Sequence, residues 1–365
     1  MIKIIDCGFN EFRKRCRDKK VYCFGAGKQF DRFIRQAEWL TVSGIIDNDE
    51  NKQNSEKKVG DRSVEIISLS NFIQRNEKNA CIVITSMAFC EMIQALDKYD
   101  SVLKIECYIY LFLKNYTEQD SARIQFPERQ QIPKKIHYCW FGSKTLPKKF
   151  ERNLDSWKKF CPDYEIIRWD ESNTDIESNL YIKQAYERKA WAYVSDVSRL
   201  KAVYDHGGIY LDVDVEVIKN LDSLLGWELF CGHEGANFVN FGLGYGAVRG
   251  HVIVKELLDI YDRTLYIDKE GTVNGTTCPY YQSHVLKEYG FLLDGNFEQK
   301  NGVVIFPKEY FSPLSYYKGL GRVTDQTYSI HWFSASWQTK TDDQKKKKIE
   351  ENIQDIYKRM AKQRE

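Results

Sequence analysis

The absences in this chain narrow it first. Ten cysteines are spread over 365 residues, yet no two stand as Cys-x-x-Cys. That argues against a zinc site and for reduced thiols in a cytosolic compartment. Formal net charge is only +2, so there is no global electrostatic case for nucleic acid as a partner. The longest apolar run, around 107–113, falls far short of the roughly 18 residues a membrane helix needs. The N-terminus opens on a short strand-like run rather than a charged region ahead of an apolar core, so no signal peptide is expected. No internal repeat is evident. These absences together lead us to expect a soluble, cytoplasmic chain.

Hydrophobic content of 42% and charged content of 29% are ordinary globular values and predict a packed core. The length suits two domains. Aromatic content is high at 14%. Rings at that density fill a core, or line a cleft for sugars and nucleobases.

Residues 20–110 alternate strand and helix: strands over 20–25, 42–46, 66–69, 80–85 and 105–111, helices over 29–39, from Ser70 as N-cap, and near 89–99. This predicts a parallel sheet covered by helices. Gly25-Ala-Gly27 resembles a dinucleotide-binding turn, and Asp47 lies about 20 residues further on, where a ribose-binding acid would sit. Phe30, however, occupies the third glycine position, so a retained fold used for assembly or positioning is the expectation there. Residues 115–131 read as a polar linker. Beyond it, strands over 136–141 and 164–169 and helices over 147–160, 182–206 and 252–261 begin a second pattern. From Lys340 onward a charged helix places Ile349, Ile353, Ile356 and Met360 on one stripe. Its run Lys345–Lys348 could touch an anionic membrane; packing of the Ile stripe on the body is the reading adopted. The domains expected are 1–125, Rossmann-like; 126–338, the second α/β pattern; and 339–365, the C-terminal helix.

The most informative stretch is Ser195-Asp196-Val-Ser-Arg199 followed by His206-Gly207-Gly208-Ile-Tyr210-Leu-Asp212-Val-Asp214. It reads as a helix stopped by paired glycines, then one strand running to Val217. Alternation would put Tyr210, Asp212, Asp214 and Glu216 on one face and Ile209, Leu211, Val213, Val215 and Val217 on the other. Two acids with no nearby base suit a hard divalent cation holding a phosphate or diphosphate. Asp196 and Arg199 are i,i+3 neighbours. They form either a surface ion pair or a hydroxyl acceptor and an anion-binding fork.

With Ile132-Pro-Lys-Lys-Ile-His-Tyr-Cys-Trp-Phe-Gly142 upstream and His331 through Ser336-Trp337 downstream, four ordered blocks over 132–337 resemble a D-x-D sugar-transferase family. Capsular polysaccharide synthesis enzymes and initiation-specific mannosyltransferases (glycosyltransferase family 32) typify it. The same core is similar to the catalytic domain of the large glucosylating bacterial toxins. The resemblance implies an α/β, GT-A type nucleotide-sugar transferase domain, here preceded by a smaller Rossmann-like parallel α/β domain. It also implies a UDP- or GDP-sugar donor, a divalent metal (manganese, with magnesium as the alternative) and retention of configuration. The acceptor expected is a glycan, lipid-linked on the inner membrane face, with at most peripheral membrane contact.

By the same resemblance Trp140 stacks on the base, Asp196 and Arg199 hold the donor sugar, and Tyr210 lies in the donor site. Asp214 binds the metal, and Asp212 contacts the ribose or a water on the metal. His331 completes the metal shell, having folded back across the intervening chain to meet Asp214. Asn240 contacts the sugar, and Ser336 and Trp337 cover the diphosphate. No carboxylate nucleophile is identifiable from sequence, so a same-face attack, with the leaving phosphate as base, fits as well as a double displacement. Two rivals stand beside this reading. Leu211-Asp-Val-Asp-Val215 also satisfies the haloacid-dehalogenase phosphatase motif, which needs a second acid pair on a strand; Asp342-Asp343 is the visible pair. The other rival is a non-catalytic carbohydrate- or nucleotide-binding module.

Overall fold

A computed structural model of the chain describes residues 1–116, 124–142, 145–235, 238–334 and 340–363. The chain divides into two compact units. One comprises Met1–Glu118, Tyr317–Gly321 and Ala335–Glu365, the other Gln119–Tyr316 and Arg322–Ser334. Both are α/β.

The first unit runs β1 (Lys3–Ile4), α1 (Phe9–Cys16), β2 (Lys20–Phe24), α2 (Lys28–Gln36), β3 (Val42–Ile46), β4 (Ser55–Val59), β5 (Arg62–Ile67), α3 (Leu69–Arg75), β6 (Ala80–Ile84), α4 (Phe89–Leu96), β7 (Glu106–Ile109) and α5 (Tyr110–Leu113). Its sheet has the order β1-β7-β6-β2-β3-β5-β4, parallel except for β4 on β5. Strands β2 and β6 are apolar almost throughout because both faces are covered. Tyr22, Phe24, Ile82 and Ile84 enter one core, while Val21, Cys23, Cys81 and Val83 enter the other. Phe12 of α1 with Phe30 and Phe33 of α2 closes the second core. The first is closed by Phe72, Phe89 and Ile93 together with Ile353, Ile356 and Met360 of the C-terminal helix, Lys340–Lys362. Arg359 fixes that helix through Asp97, Nη2 to Oδ1 at 2.7 Å. Its Lys345, Lys347 and Lys348 face solvent.

Two local readings change. Ser68, not Ser70, caps α3, accepting from the Asn71 amide at 3.1 Å; Ser70 lies inside the helix. The strand expected over 66–69 begins earlier, at Arg62, and the polar stretch before it holds the edge strand β4. It looks like loop in sequence because an exposed edge strand carries charge instead of apolar alternation. At the glycine turn, Asp47 Oδ2 takes the Ala26 amide at 2.7 Å, so the acid closes its own loop.

The second unit continues with β8 (Lys135–Cys139), α6 (Lys148–Phe160), β9 (Glu165–Trp169), α7 (Leu180–Glu187), α8 (Trp191–His206), β10 (Gly208–Tyr210), β11 (Val215–Val217), β12 (Leu229–Gly235), β13 (Phe238–Val239), β14 (Tyr245–Ala247), α9 (Val252–Arg263), α10 (Cys278–Glu288), β15 (Glu298–Lys300), β16 (Val303–Phe306) and β17 (Ser329–His331). A mixed sheet has the order β15-β16-β12-β14-β10-β8-β9, with β13 on β12, and β11 pairs separately with β17. Leu229, Cys231, Val303 and Ile305 point to a core closed by α7, α8, α9 and α10. Phe230, Val304, Phe306 and Ile209 point to the opposite core, closed by Trp157 of α6 and by Val215 and Val217. The helix expected over 182–206 is two helices, parted where Lys189 takes φ of 56°. All ten cysteines are free thiols. Among the described residues no helix is long and apolar enough to cross a membrane.

Candidate active site

Helix α8 stops at His206, and two glycines lead the chain into β10. Gly207 and Gly208 have φ of 63° and 115°, conformations that glycine adopts without steric cost. A Cβ on Gly208 would stand 2.9 Å from the Lys135 carbonyl oxygen, blocking the approach of β10 to β8. The Gly207 carbonyl lies 2.8 Å from His137 Nε2. Since the Trp169 indole donates to His137 Nδ1 at 3.1 Å, Nε2 carries the ring proton and donates to Gly207.

Burial pushes the His137 pKa down to about 4, below the roughly 6.5 of a solvated imidazole. The stability His137 contributes is therefore complete above pH 6.5 and is lost as pH falls towards 4. Between pH 7.5 and 4.5 this group should cost about 2–3 kcal/mol. Chemical unfolding at the two values measures it, and His137→Leu should remove that share of the acid sensitivity. An unchanged pH dependence in the variant would show that the ring is not held neutral.

The acids that follow do not lie on one strand. β10 ends at Tyr210, pairing with β8 and β14, whereas β11 begins at Val215 and pairs with β17. Between them the chain turns, with the Val215 amide on the Asp212 carbonyl at 3.0 Å. The alternation expected from Tyr210 to Val217 therefore fails. Two short strands that serve different partners need a corner, and the corner carries Asp212 and Asp214. Tyr210 is buried beneath it, donating its hydroxyl to Asp212 Oδ1 at 2.8 Å.

Asp196 and Arg199 are no surface pair. Both are buried, because α8 presents Val194, Val197, Leu200 and Val203 to the core around them. Arg199 Nη2 sits 3.0 Å from Asp196 Oδ1 and 3.6 Å from Asp212 Oδ1. Its Nε donates to the Ser195 carbonyl at 3.1 Å, and its guanidinium lies 4.9 Å from the Tyr210 ring centre. Burial raises the Asp196 pKa, and the Arg199 charge opposes that rise. The guanidinium thus ties the helix acid to the corner acid.

β17 brings in His331, directly opposite Val215. Ligand atoms of Asp212, Asp214 and His331 lie within 4.8 Å of one another. His331 Nε2 is 3.1 Å from Asp214 Oδ1, and the Ser334 amide donates to Asp214 Oδ2 at 2.8 Å. Burial by itself would raise the Asp214 carboxyl and lower the imidazole. Their mutual contact outweighs it, holding Asp214 below the ordinary carboxylate range and His331 above that of a free imidazole. Two converging carboxylates and an imidazole whose Nδ1 is buried with no partner among the described residues fit a divalent cation.

Two further residues complete the floor. Asn240 Oδ1 accepts the Gly242 amide at 2.7 Å, and Asn240 Nδ2 reaches Glu234 Oε2 at 3.4 Å. Burial raises the Glu234 pKa, with His331 and Asn240 acting against it and Asp212 with it. Sequence reasoning missed Glu234, Gly242 and His137. A lone Glu on a strand carries no signal, and the only available one for Gly242 was a glycine two positions past Asn240, where a close approach would require it. A Cβ there would stand 2.2 Å from Asp212 Oδ2 and 2.9 Å from Arg199 Nη1. Gly242→Ala should therefore displace Asp212 and lower turnover by on the order of 10²-fold, at an overpacking cost of about 1–3 kcal/mol. Steady-state rates and a melting curve check this; a rate within threefold of wild type would show that the corner can shift freely.

Trp140 follows β8, its ring edge against Phe150 at 5.6 Å between centres and its Nε1 buried with no partner among the described residues. Ser336 and Trp337 lie outside the described residues. Asp342 and Asp343, the acid pair a phosphatase would need on a strand, stand in the first turn of the C-terminal helix.

Residues 147–230 match the family described as the glycosyltransferase sugar-binding region containing the DXD motif. Inositol phosphoceramide mannosyltransferase 3 of Schizosaccharomyces pombe is 36% identical over 98 residues, covering 26% of this chain and 27% of that protein. Mannosyl phosphorylinositol ceramide synthase CSH1 of Saccharomyces cerevisiae is 29% identical over 171 residues, 44% of each chain. The solved PaToxG glycosyltransferase is 20% identical with a TM-score of 0.35, covering 44% of this chain and 70% of its own. The chain spans less than half the length of these two curated relatives. Asp196, Arg199, Asp212 and Asp214 all fall inside the segment that matches the glycosyltransferase sugar-binding region containing the DXD motif.

Proposed function

We propose that this chain is a metal-dependent, retaining glycosyltransferase. It moves a sugar from a UDP- or GDP-linked donor to a glycan acceptor in capsular or lipopolysaccharide synthesis, working in the cytoplasm on a lipid-linked acceptor. The meeting of Asp212, Asp214 and His331 from two elements far apart in sequence, next to the buried Arg199, carries the reading. A carbohydrate-binding module would have little use for a desolvated acid–acid–imidazole set tied to a buried arginine.

Asp212, Asp214 and His331 would hold a divalent cation, manganese in this reading, which would supply positive charge against the departing nucleoside diphosphate. The chain's own residues do the rest. Asp196 accepts from a sugar hydroxyl, Arg199 holds Asp212 in place, and Asn240 faces the sugar. Trp140 offers a ring face to the base, with Ser336 and Trp337 covering the diphosphate. The first unit serves in assembly or positioning.

The names of the two yeast relatives put mannosyl donors first among those to test. A panel of UDP- and GDP-sugars with Mn²⁺, read by nucleoside diphosphate release, decides the matter. At least one donor should be turned over; if none is, with or without added glycan, the reading fails.

A further inference from the structure

The carboxylates assigned above, Asp196, Asp212 and Asp214, serve the donor site, but each is already engaged. Arg199 spans Asp196 and Asp212; Asp212 takes the Tyr210 hydroxyl; Asp214 takes His331 and the Ser334 amide. None is left to meet the sugar carbon from which the diphosphate departs. Glu234 remains. It stands at the end of β12, half-buried, and Asn240 ties it to the Gly242 turn that packs directly against Asp212. It is not one of the three residues whose ligand atoms converge. Its Oε2 is held by Asn240 Nδ2, and the Gly242 amide on Asn240 Oδ1 fixes which way that amide points. Oε1 has no partner among the described residues. A half-buried, oriented carboxylate beside a diphosphate-holding set, but outside it, is the arrangement covalent glycosyl catalysis requires.

We infer that Glu234 is the nucleophile of a double displacement, an inference that rests on the glycosyl-transfer reading above. In the first step a Glu234 oxygen bonds to the anomeric carbon as the bond from that carbon to the phosphate oxygen breaks, and the electron pair leaves on the diphosphate. In the second step the acceptor hydroxyl attacks the same carbon from the opposite face. The bond to Glu234 breaks, its pair returns to the carboxylate, and the hydroxyl proton passes to the diphosphate. Two inversions give retention.

Glu234→Ala tests this by rescue with sodium azide, using whichever donor the wild type turns over. Turnover should fall at least 10³-fold, with the Mn²⁺ concentration for half-maximal nucleoside diphosphate binding within threefold of wild type. Azide should then restore donor cleavage at least tenfold and yield a glycosyl azide of inverted configuration. A variant active within threefold of wild type overturns the inference. So does a folded variant that azide does not rescue, or one that loses its Mn²⁺ response in parallel. Should the alanine variant not fold, intact-mass spectrometry replaces it. Wild type incubated with a 2-deoxy-2-fluoro donor and no acceptor should carry one sugar on the peptide holding Glu234, and Glu234→Gln none. Wild type without that adduct overturns the inference. Failure of the wild type on every donor removes the transfer reading itself, whereas normal transfer by Glu234→Ala removes only the role of Glu234.

Discussion

Replacing Asp214 with alanine is expected to lower donor turnover on the order of 10³-fold and to remove its response to Mn²⁺. The expectation rests on how completely this carboxylate is committed. One oxygen faces His331 and the other takes the Ser334 amide, so the side chain joins the corner after β10 to the strand carrying His331. Truncation removes one of three converging ligand groups, and it leaves a buried imidazole and an amide without their acceptor. Unmade buried hydrogen bonds cost about 1–3 kcal/mol each, so a drop in melting temperature should accompany the kinetic loss. Asp214→Asn separates the two effects. Its amide oxygen can still accept from Ser334, which preserves much of the stability, but a neutral ligand binds the cation far more weakly. The expected pattern is near-wild-type melting with strongly reduced turnover for asparagine, and loss of both for alanine. Equal, undiminished turnover in both variants would show that Asp214 holds no metal.

The parts of this site differ in how far they can be read from residue order. The acid pair stands out because carboxylates interrupt an apolar run, and paired glycines announce the turn before them. The corner between Asp212 and Asp214 is invisible, because it depends on β11 finding β17 more than a hundred residues away. Spacing alone puts Asp196 and Arg199 side by side on α8. Their burial could not be read there, because α8 mixes polar and apolar residues and is buried over most of its circumference only once its neighbours pack on it. Glu234 had no local signal, since a lone acid at a strand end looks solvated and the amide that orients it, Asn240, comes only after β13. The Ile stripe of the C-terminal helix could be read as a packing face, but its target could not. Contacts with the sheet of the first unit are tertiary, and amphipathicity specifies a face, not its partner.

Arg199 makes the sharpest prediction about stability. Arg199→Met takes a guanidinium out of a buried cluster and strands Asp196 and Asp212 without their counter-charge. Breaking a buried pair from one side costs about 3–5 kcal/mol, and turnover should fall with it as Asp212 loses its anchor. Asp196 sets the pH dependence. Burial already raises its folded pKa, and Arg199 is what opposes that rise. Without the arginine the carboxyl should take up a proton on folding. A folded pKa raised above the unfolded value contributes stability at low pH that is lost as pH climbs through it. The variant should therefore be less handicapped at pH 5 than at pH 8, judged by chemical unfolding against wild type at each pH. Arg199→Lys keeps the charge but not the planar fork that spans two acids, and should recover part of the stability with little of the activity. Combining Arg199→Met with Asp196→Asn should return stability by removing the stranded acid, while turnover stays low. If that double variant is no more stable than Arg199→Met alone, the cost lies in packing around α8 and not in the unpaired carboxylate.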